Sequence, residues 1–375
     1  MKKILIIYAS AGDGHKKAAE AIYKEFCEFS DGSFKAMPID SLNYSTRFFK
    51  FSYKRIYIIL IKYFPWVWGF FYHLLNNRFF YIIASPFRRL TNALNSKKLI
   101  NFILNEKFDL VISTHFFATE VISHAKGKGI FSLPLINVVT DFKSHLYWIA
   151  DDVDKYIVAA DSVKEGFVSA GVNSKKIDVL GIPIRSQFMR LLSKEQARSK
   201  LDLSLNKFTV LVMGGGLGVG PIKDVVLGLQ DLSQMCQIIV VCGHNKVLYE
   251  ELNDLEPSFT KPTIVLGFSH NIDIIMAASD IMVSKVGGVS ASESLSRGLP
   301  IICLKPIPGQ EMGNAQFLFD NKIGFRAKEV LMINPIIESF LHNKIKQVEI
   351  SHKARLLSRP DSAINIVKLV MEYME

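Results

Sequence analysis

Short apolar runs, each closed by glycine or a polar loop and followed by a helical stretch, recur along the whole 375-residue chain. Buried parallel strands have this appearance, because connecting helices cover both faces of their sheet. In the first half the runs predict strands at Lys3–Tyr8, Leu110–Ser113, Leu135–Val139, Lys155–Val158 and Ile177–Leu180, with a helix over about Lys16–Phe29. The pattern restarts with strands at Thr209–Met213, Ile238–Val241, Thr263–Leu266, Ile281–Val283 and Ile301–Leu304. This alternation predicts an α/β fold of two Rossmann-like units. Ser186–Lys207 is polar and charged, with a helical stretch at Lys194–Leu201. The boundary is therefore expected there, giving an amino-terminal domain over 1–190, a second domain over 191–350 and a helical tail over 351–375. In the tail, Ile364, Val367, Val370 and Met371 share one helical face, with the first domain as the candidate surface to receive it.

The net charge of +10 has a single origin. Ser41–Asn105 has no Asp or Glu but carries ten of the 45 basic residues, leaving 35 basic against 35 acidic elsewhere. The same segment holds 18 of the 42 aromatic residues. A nucleic-acid binder would more naturally spread its charge along a groove, so nucleic acid is not an expected partner. Its most apolar part, Ile56–Leu75, is broken by Lys62, Pro65 and His73, which argues against a spanning helix. Cations interleaved with aromatic rings suit an element in the headgroup layer of an anionic membrane, with Lys54, Arg55, Lys62, Trp66 and Trp68 as contacts. The alternative is a helical insertion packed on its own domain with a solvated basic face.

Cys27, Cys236, Cys242 and Cys303 form neither a disulfide framework nor a CxxC cluster, which fits a reducing cytoplasm. The Lys2-Lys3 start imitates a signal peptide, but the apolar run soon meets Gly12-Asp13-Gly14-His15 and is expected to be the first strand. Asp151-Asp152-Val153-Asp154 is the nearest approach to a metal-binding Asp-x-Asp loop, and is expected only to introduce the following strand.

Three loops carry candidate chemistry. Gly214-Gly215-Gly216-Leu217-Gly218-Val219-Gly220-Pro221 follows a strand and precedes a helix whose first turn suits Pro221; glycines allow close approach of an anion to free N–H groups. It lacks the Gly-Lys-Ser/Thr of a Walker loop, and a strand-to-helix joint without ligand would look similar. The second is Lys285-Val286-Gly287-Gly288-Val289-Ser290-Ala291-Ser292-Glu293. Glu293 could there accept bonds from sugar hydroxyls, or be an ordinary exposed helical glutamate. The third, Pro306–Asn314, offers Gln310 and Glu311 as an adjacent amide and carboxylate for reading hydroxyls, with Asn314 suited to an N-cap. All three leave the carboxyl ends of expected parallel strands, where open α/β sheets bind ligands.

The second half resembles the nucleotide-sugar domain of family 28 glycosyltransferases. The first half resembles the amino-terminal domain of monogalactosyldiacylglycerol synthases and bacterial processive diacylglycerol glucosyltransferases. The resemblance spans roughly Met1–Lys328 and rests on Gly12-Asp13-Gly14-His15, Ser113-Thr114-His115, Val139-Thr140-Asp141 with His145 and Trp148, Gly181-Ile182-Pro183-Ile184-Arg185, Gly214–Gly216, Gly287–Glu293 and Pro308–Asn314. It implies GT-B architecture, two Rossmann-like domains with parallel sheets facing across a cleft. It also implies inverting, metal-independent transfer of a hexose from a UDP-sugar to the hydroxyl of diacylglycerol or a glycosyl-diacylglycerol, without a cofactor. The enzyme would be cytoplasmic and peripheral on the inner membrane face.

By the same resemblance uracil sits near Phe268, Glu293 grips the ribose, and Gln310, Glu311 and Asn314 lie at the sugar. Gly215, Gly216, Gly288, Val289 and Ser290 lie at the pyrophosphate, with Arg185 as a further phosphate contact. His15 is the candidate base, or else a helix-start phosphate ligand. Asp141 is the alternative base or the partner that orients an imidazole, and Gly14, His115, His145 and Trp148 shape the acceptor pocket. Asp13 departs from the small residue common in relatives and adds negative charge beside His15. Competing expectations are an N-acetylglucosamine transferase acting on the undecaprenyl-linked peptidoglycan precursor, a UDP-sugar epimerase and a non-catalytic lipid or nucleotide module. The choice of glucose or galactose, the number of sugars added and the oligomeric state are not encoded in any motif.

Overall fold

A computed structural model describes residues 1–10, 12–29, 32–190 and 192–374, apart from the side chains of Lys54, Tyr57, Ile58 and Lys62. Chain contacts divide it into two units. Unit 1 comprises Met1–Ser186, Ile307–Gly313 and Arg359–Glu375, and unit 2 comprises Gln187–Pro306 and Asn314–Ser358.

Unit 1 runs β1 (Lys2–Tyr8), α1 (Asp13–Phe29), β2 (Phe34–Asp40), α2 (Arg47–Tyr63), α3 (Pro65–Leu74), α4 (Arg78–Glu106), β3 (Leu110–Ser113), α5 (Phe116–Gly127), β4 (Leu135–Val138), β5 (Lys155–Val158), α6 (Asp161–Ser169) and β6 (Ile177–Val179). Its parallel sheet has the order β2-β1-β3-β4-β5-β6. The core joins Ile4, Ile6, Leu110, Ile112, Ile136, Val138 and Ile157 of the sheet to Ala19, Ile22 and Phe26 of α1. The segment 41–105 is mostly helical, with α2 capped by Thr46, α3 opened by Pro65 and α4 capped by Asn77. Only the carboxyl-terminal part of α4 enters the core, through Asn92, Ser96, Leu99 and Ile103.

Unit 2 runs α7 (Lys194–Ser199), β7 (Phe208–Met213), α8 (Ile222–Gln230), β8 (Cys236–Val241), α9 (Lys246–Leu255), β9 (Thr263–Leu266), α10 (Ile272–Ala278), β10 (Ile281–Ser284), α11 (Gly288–Arg297), β11 (Ile301–Leu304), α12 (Gln310–Asp320, whose first turn groups with unit 1), β12 (Gly324–Ala327), α13 (Ile333–Leu341) and α14 (Lys344–Leu357). Its parallel sheet has the order β12-β11-β10-β7-β8-β9. The last helix, α15 (Ser362–Met374), returns to unit 1, where Ile366, Val367 and Val370 join the core beside α1. Of the tail face expected from sequence, Ile364 and Met371 are half-buried, and Ala363 and Ile366 are buried instead.

Two strands absent from the sequence reading, β2 and β12, are sheet edges. An edge strand is covered less and needs no continuous apolar run. β2 even accommodates Pro38, whose missing N–H an edge can tolerate. Asn314 is not an N-cap, because α12 begins four residues earlier at Gln310. Pro221 is the residue before α8 rather than in its first turn. Asp154 accepts from the Leu135 amide at 2.7 Å and pairs with Lys126, and Asp151 pairs with Arg89 at 2.9 Å. Among the described residues no three His, Cys, Asp or Glu side chains gather as a metal-binding group, and no helix is long and apolar enough to cross a membrane.

Candidate active site

In a doubly wound sheet, ligands collect where the strand order reverses direction. For unit 1 this is the carboxyl end of β1 and β3. His15, in the first turn of α1, is 9% exposed. Its Nδ1 lies 2.9 Å from the Thr114 carbonyl oxygen, beyond β3, and 2.8 Å from Thr140 Oγ1, beyond β4. A carbonyl only accepts, so the Nδ1 proton is directed at Thr114 and Nε2 carries the free lone pair. Burial pushes the His15 pKa down to about 4, against the upward pull of the Thr114 carbonyl, so the imidazole is neutral at pH 7. Thr114 Oγ1 also donates to the His15 carbonyl at 2.9 Å, tying the helix start to the strand end. Gly14 lies in the same turn.

Aromatic and carboxylate groups frame this imidazole. The His115 ring meets His15 edge-on with centroids 4.5 Å apart, and Trp148 lies 5.9 Å away. Trp148 Nε1 donates to Asp141 Oδ2 at 3.1 Å, while its carbonyl accepts from Asn137 at 2.7 Å. Gln310 Nε2 lies 3.1 Å from both Asp141 oxygens. His115 caps α5 by accepting the Phe117 amide on Nδ1 at 3.1 Å. His145 accepts the Tyr147 amide at 3.0 Å and donates from Nε2 to the Tyr72 carbonyl at 2.8 Å. Burial lowers both, His145 to about 4 and His115 well below its usual range.

The Pro308–Gly313 loop is built into unit 1 by close packing. A Cβ at Gly309 would stand 2.7 Å from the Tyr72 ring, and one at Gly313 2.8 Å from Lys143. Glu311 Oε2 accepts the Ile307 amide at 2.9 Å, closing the turn that presents Gln310. Arg185 is half-buried after β6, in unit 1.

In unit 2 the order reverses between β7 and β10, and both glycine loops leave from there. The 214–220 turn is interlocked with the next loop: His244 donates its amide to the Gly216 carbonyl at 2.9 Å, and Asn245 Nδ2 donates to the Gly218 carbonyl at 3.1 Å. Gly218, at φ +59°, permits this because a Cβ would fall 2.0 Å from the Cys242 carbonyl oxygen. Gly215 instead has only Lys285 Cε within reach, at 3.7 Å, and Gly287 has nothing within 4 Å. Two half-buried glycines with open space at their Cα atoms therefore flank Lys285. Gly287 supplies no side-chain cap to α11, whose first amides belong to Gly288, Val289 and Ser290. Val286, at φ +64°, holds a conformation rare for a β-branched residue, and its carbonyl accepts from Asn314 Nδ2 at 3.4 Å. Glu293 is 3% exposed on α11 and so is not an ordinary surface glutamate. Phe268 is 42% exposed and stacks on His244 with centroids 4.3 Å apart. Sequence reasoning quoted Thr140 and Lys285 within motifs but gave them no role, and it passed over His244.

On α2 and α3, Trp66 is 72% exposed, Arg55 lies 5.0 Å over the Phe51 ring, and Trp68 is half-buried near Tyr72. Lys54 and Lys62 have side chains outside the described residues. Phe48, Phe51, Phe64, Phe70, Phe71, Phe79, Ile83 and Phe87 are also exposed, an apolar surface much richer than scattered single residues.

Residues 15–184 match the Monogalactosyldiacylglycerol (MGDG) synthase family, and residues 209–361 match the Glycosyltransferase family 28 C-terminal domain. Among solved structures, MurG of Acinetobacter baumannii superposes with a TM-score of 0.64 at 14% identity, over 99% of this chain and all of that one. Anabaena HepE in complex with UDP-glucose gives 0.59 at 16%, over 100% and 99%. At such identity these likenesses establish the GT-B fold, two Rossmann-like units with parallel sheets. A processive diacylglycerol beta-glucosyltransferase of Bacillus cytotoxicus is 30% identical over 99% of this chain and 93% of its own. The chain belongs to the family of the processive diacylglycerol beta-glucosyltransferases.

Proposed function

We propose that the chain transfers glucose from UDP-glucose to the free hydroxyl of diacylglycerol, and then of glucosyl-diacylglycerol, by one inverting displacement. The observation that carries this proposal is kinship over nearly the full length with enzymes named for that reaction. The half-sites give it a physical basis.

In unit 1, His15 Nε2 accepts the proton of the attacking hydroxyl, and the Thr114 carbonyl stabilises the imidazolium through Nδ1–H. A bond forms between the acceptor oxygen and the anomeric carbon as the bond from that carbon to UDP breaks. The low proton affinity of His15 makes the transfer late, in step with departure of the leaving group. Asp141, held by Trp148 and Gln310, orients the acceptor and is the other candidate base. His115, His145, Gly14 and Trp148 wall the acceptor side.

In unit 2, Gly215, Gly216 and the first amides of α11 receive the pyrophosphate, with Lys285 compensating its charge. Glu293 binds the ribose and Phe268 flanks the uracil. Arg185 adds a phosphate contact, and Gln310, Glu311 and Asn314 attend the sugar. The domain roles follow: unit 1 serves the lipid and unit 2 the nucleotide sugar.

Exposed rings and cations of α2 to α4 hold the enzyme reversibly on an anionic bilayer, at the cytoplasmic face. Incubating the purified protein with diacylglycerol liposomes and each UDP-sugar, then weighing the lipid product, tests the proposal. A hexosyl-diacylglycerol formed from UDP-glucose is expected; no hexosyl lipid from any donor would overturn it.

A further inference from the structure

A cavity of about 770 Å³ in unit 1 shares only His145 with the half-sites described above. It lies between α4, α5, the 144–152 segment and the end of α6, with Tyr81, Arg88, Glu120, Asp152 and Ser169 among its lining residues. Its volume is within the ~300–1,000 Å³ usual for small-ligand sites. We propose that this cavity binds the sugar head of a glycosylated lipid, retaining the product between successive additions. The inference rests on the glucosyl-lipid activity proposed above.

The charge pattern selects the ligand class. Four basic side chains line the cavity against three carboxylates, and two of each, Arg88 with Glu120 and Arg89 with Asp151, are paired. Arg88 Nε stands 2.9 Å from Glu120 Oε1, and Arg89 Nη2 stands 2.9 Å from Asp151 Oδ2. Asn92 Nδ2 donates to Glu120 Oε2 at 2.8 Å, fixing that carboxylate further. Fixed pairs present donors and acceptors side by side with little net charge, matching vicinal hydroxyls that both give and accept. A phosphate would draw instead on Arg78 and Lys128 at the rim, and competition by an anion separates the two ligand classes. The Tyr81 ring, held under the Arg88 guanidinium at 4.3 Å, adds the flat apolar face that a pyranose can cover.

The position selects the source. Ile82 lines the cavity and is 57% exposed, among the apolar residues Phe79, Ile83 and Phe87 on the outer surface of α4. Acyl chains against that surface would leave a sugar head at the cavity. On the opposite side, a chain of rings runs from His145 through Tyr147, Phe116 and His115 to His15, with centroids 4.7, 5.4, 4.3 and 4.5 Å apart. Three rings stand in contact order between the lining residue His145 and His15, so a head bound here is held apart from His15 and stored. A second attachment point raises the effective concentration of the product at the enzyme.

Ser169 is an exposed residue on the cavity margin, and Ser169→Trp blocks the space without touching the half-sites. A second variant, Asp152→Ala, removes an acceptor. Two measurements apply to the full chain without UDP-sugar and with it. Saturation-transfer NMR with octyl β-glucoside below its micelle concentration is expected to show binding that both variants weaken at least fivefold. Product analysis is expected to show the fraction of lipid with two or more sugars falling about fivefold, while the first addition to diacylglycerol stays within twofold. Glucoside binding indifferent to Ser169→Trp, or an unchanged sugar distribution in an active variant, overturns the inference. So does preferential competition by glycerol 3-phosphate, which identifies an anion site instead. A wild-type protein that makes no glucosyl lipid yet binds the glucoside at this cavity refutes the activity and leaves the sugar site standing.

Discussion

The side-chain amide of Gln310 lies 3.1 Å from each carboxylate oxygen of Asp141, 169 residues away in the chain. The same carboxylate accepts from the Trp148 indole, whose ring also faces His15. Gln310 is therefore joined to the residues proposed for the acceptor side as well as being proposed for the sugar.

Replacing Gln310 separates these roles. Gln310→Ala removes the donor to Asp141 and is expected to lower kcat roughly tenfold, with UDP affinity unchanged. Gln310→Glu sets a second carboxylate against Asp141 and is expected to cost about a hundredfold. Steady-state kinetics with UDP-glucose and diacylglycerol micelles measure both. Equal activity of the two variants would show that the amide does not position Asp141.

In the proposed donor half-site a cation stands beside open backbone at Gly215 and Gly287. Lys285→Ala removes the cation whose Cε lies 3.7 Å from the position of a Cβ on Gly215. A charge-assisted contact is worth ~1.5–3 kcal/mol, so the Kd for UDP is expected to rise at least tenfold in calorimetry. Glu293→Gln is expected to weaken UDP but not inorganic pyrophosphate, because its proposed partner is the ribose. Equal loss for both ligands would refute the ribose assignment.

How much of this was legible in sequence follows from how each part is held. β3 and β11 were read with their observed ends because each is a largely apolar run buried in a sheet, and β9, a half-buried edge, because its Ile-Val-Leu run is still apolar. β2 and β12 were missed as half-covered edges. The 214–220 turn was legible because Gly215, Gly218 and Gly220 hold positive φ, whereas at 287 the glycine leaves open space and Val286 takes the positive φ. The setting of His15 was not: its partners Thr114 and Thr140 lie 99 and 125 residues downstream, brought near only by parallel strand order. Likewise nothing near Gln310 in sequence points to Asp141, and the length of the 41–105 segment concealed a cavity formed with α5 and α6.

Arg297 anchors the start of unit 2. Its side chain is 7% exposed, with Nη1 donating to the Arg190 carbonyl at 2.6 Å and Nη2 to the Gln187 carbonyl at 3.0 Å, above the Phe188 ring. Asp273 stands 3.9 Å away. Arg297→Ala removes both carbonyl contacts and the cation beside the half-buried Asp273, and is expected to destabilise the protein by ~2 kcal/mol, read by denaturant unfolding. Arg297→Lys cannot span both carbonyls with a planar fork and is expected to restore only part of this.

Membrane affinity should divide between charge and rings. Arg55→Glu reverses one exposed cation and is expected to weaken binding to anionic vesicles about tenfold at low salt, with little effect on neutral vesicles. Trp66→Ala removes a 72% exposed ring and is expected to weaken binding to both. Sedimentation with vesicles across a salt series separates the two. Binding that ignores salt would refute the electrostatic component.

Acid should unfold unit 1 through its histidines. Burial depresses His15 and His145 to about 4 in the folded protein, whereas an unfolded chain titrates near 6.5. Between these values the unfolded state binds more protons, so stability rises with pH across this window and is complete above it. Each group contributes at most about 3 kcal/mol of loss as pH falls from 6.5 towards 4. His115 adds to the effect, since protonation of its Nδ1 also abolishes the cap on Phe117. Thermal unfolding from pH 4.5 to 8 is expected to show a plateau above pH 7 and a steep decline below 6. His115→Asn keeps a capping oxygen without a titrating ring and should flatten part of that decline. Under the proposed role of His15 as base, activity should be level from pH 6.5 to 8; an acid limb centred near 6.5 in a fully folded sample would mean that the catalytic base is not this buried imidazole.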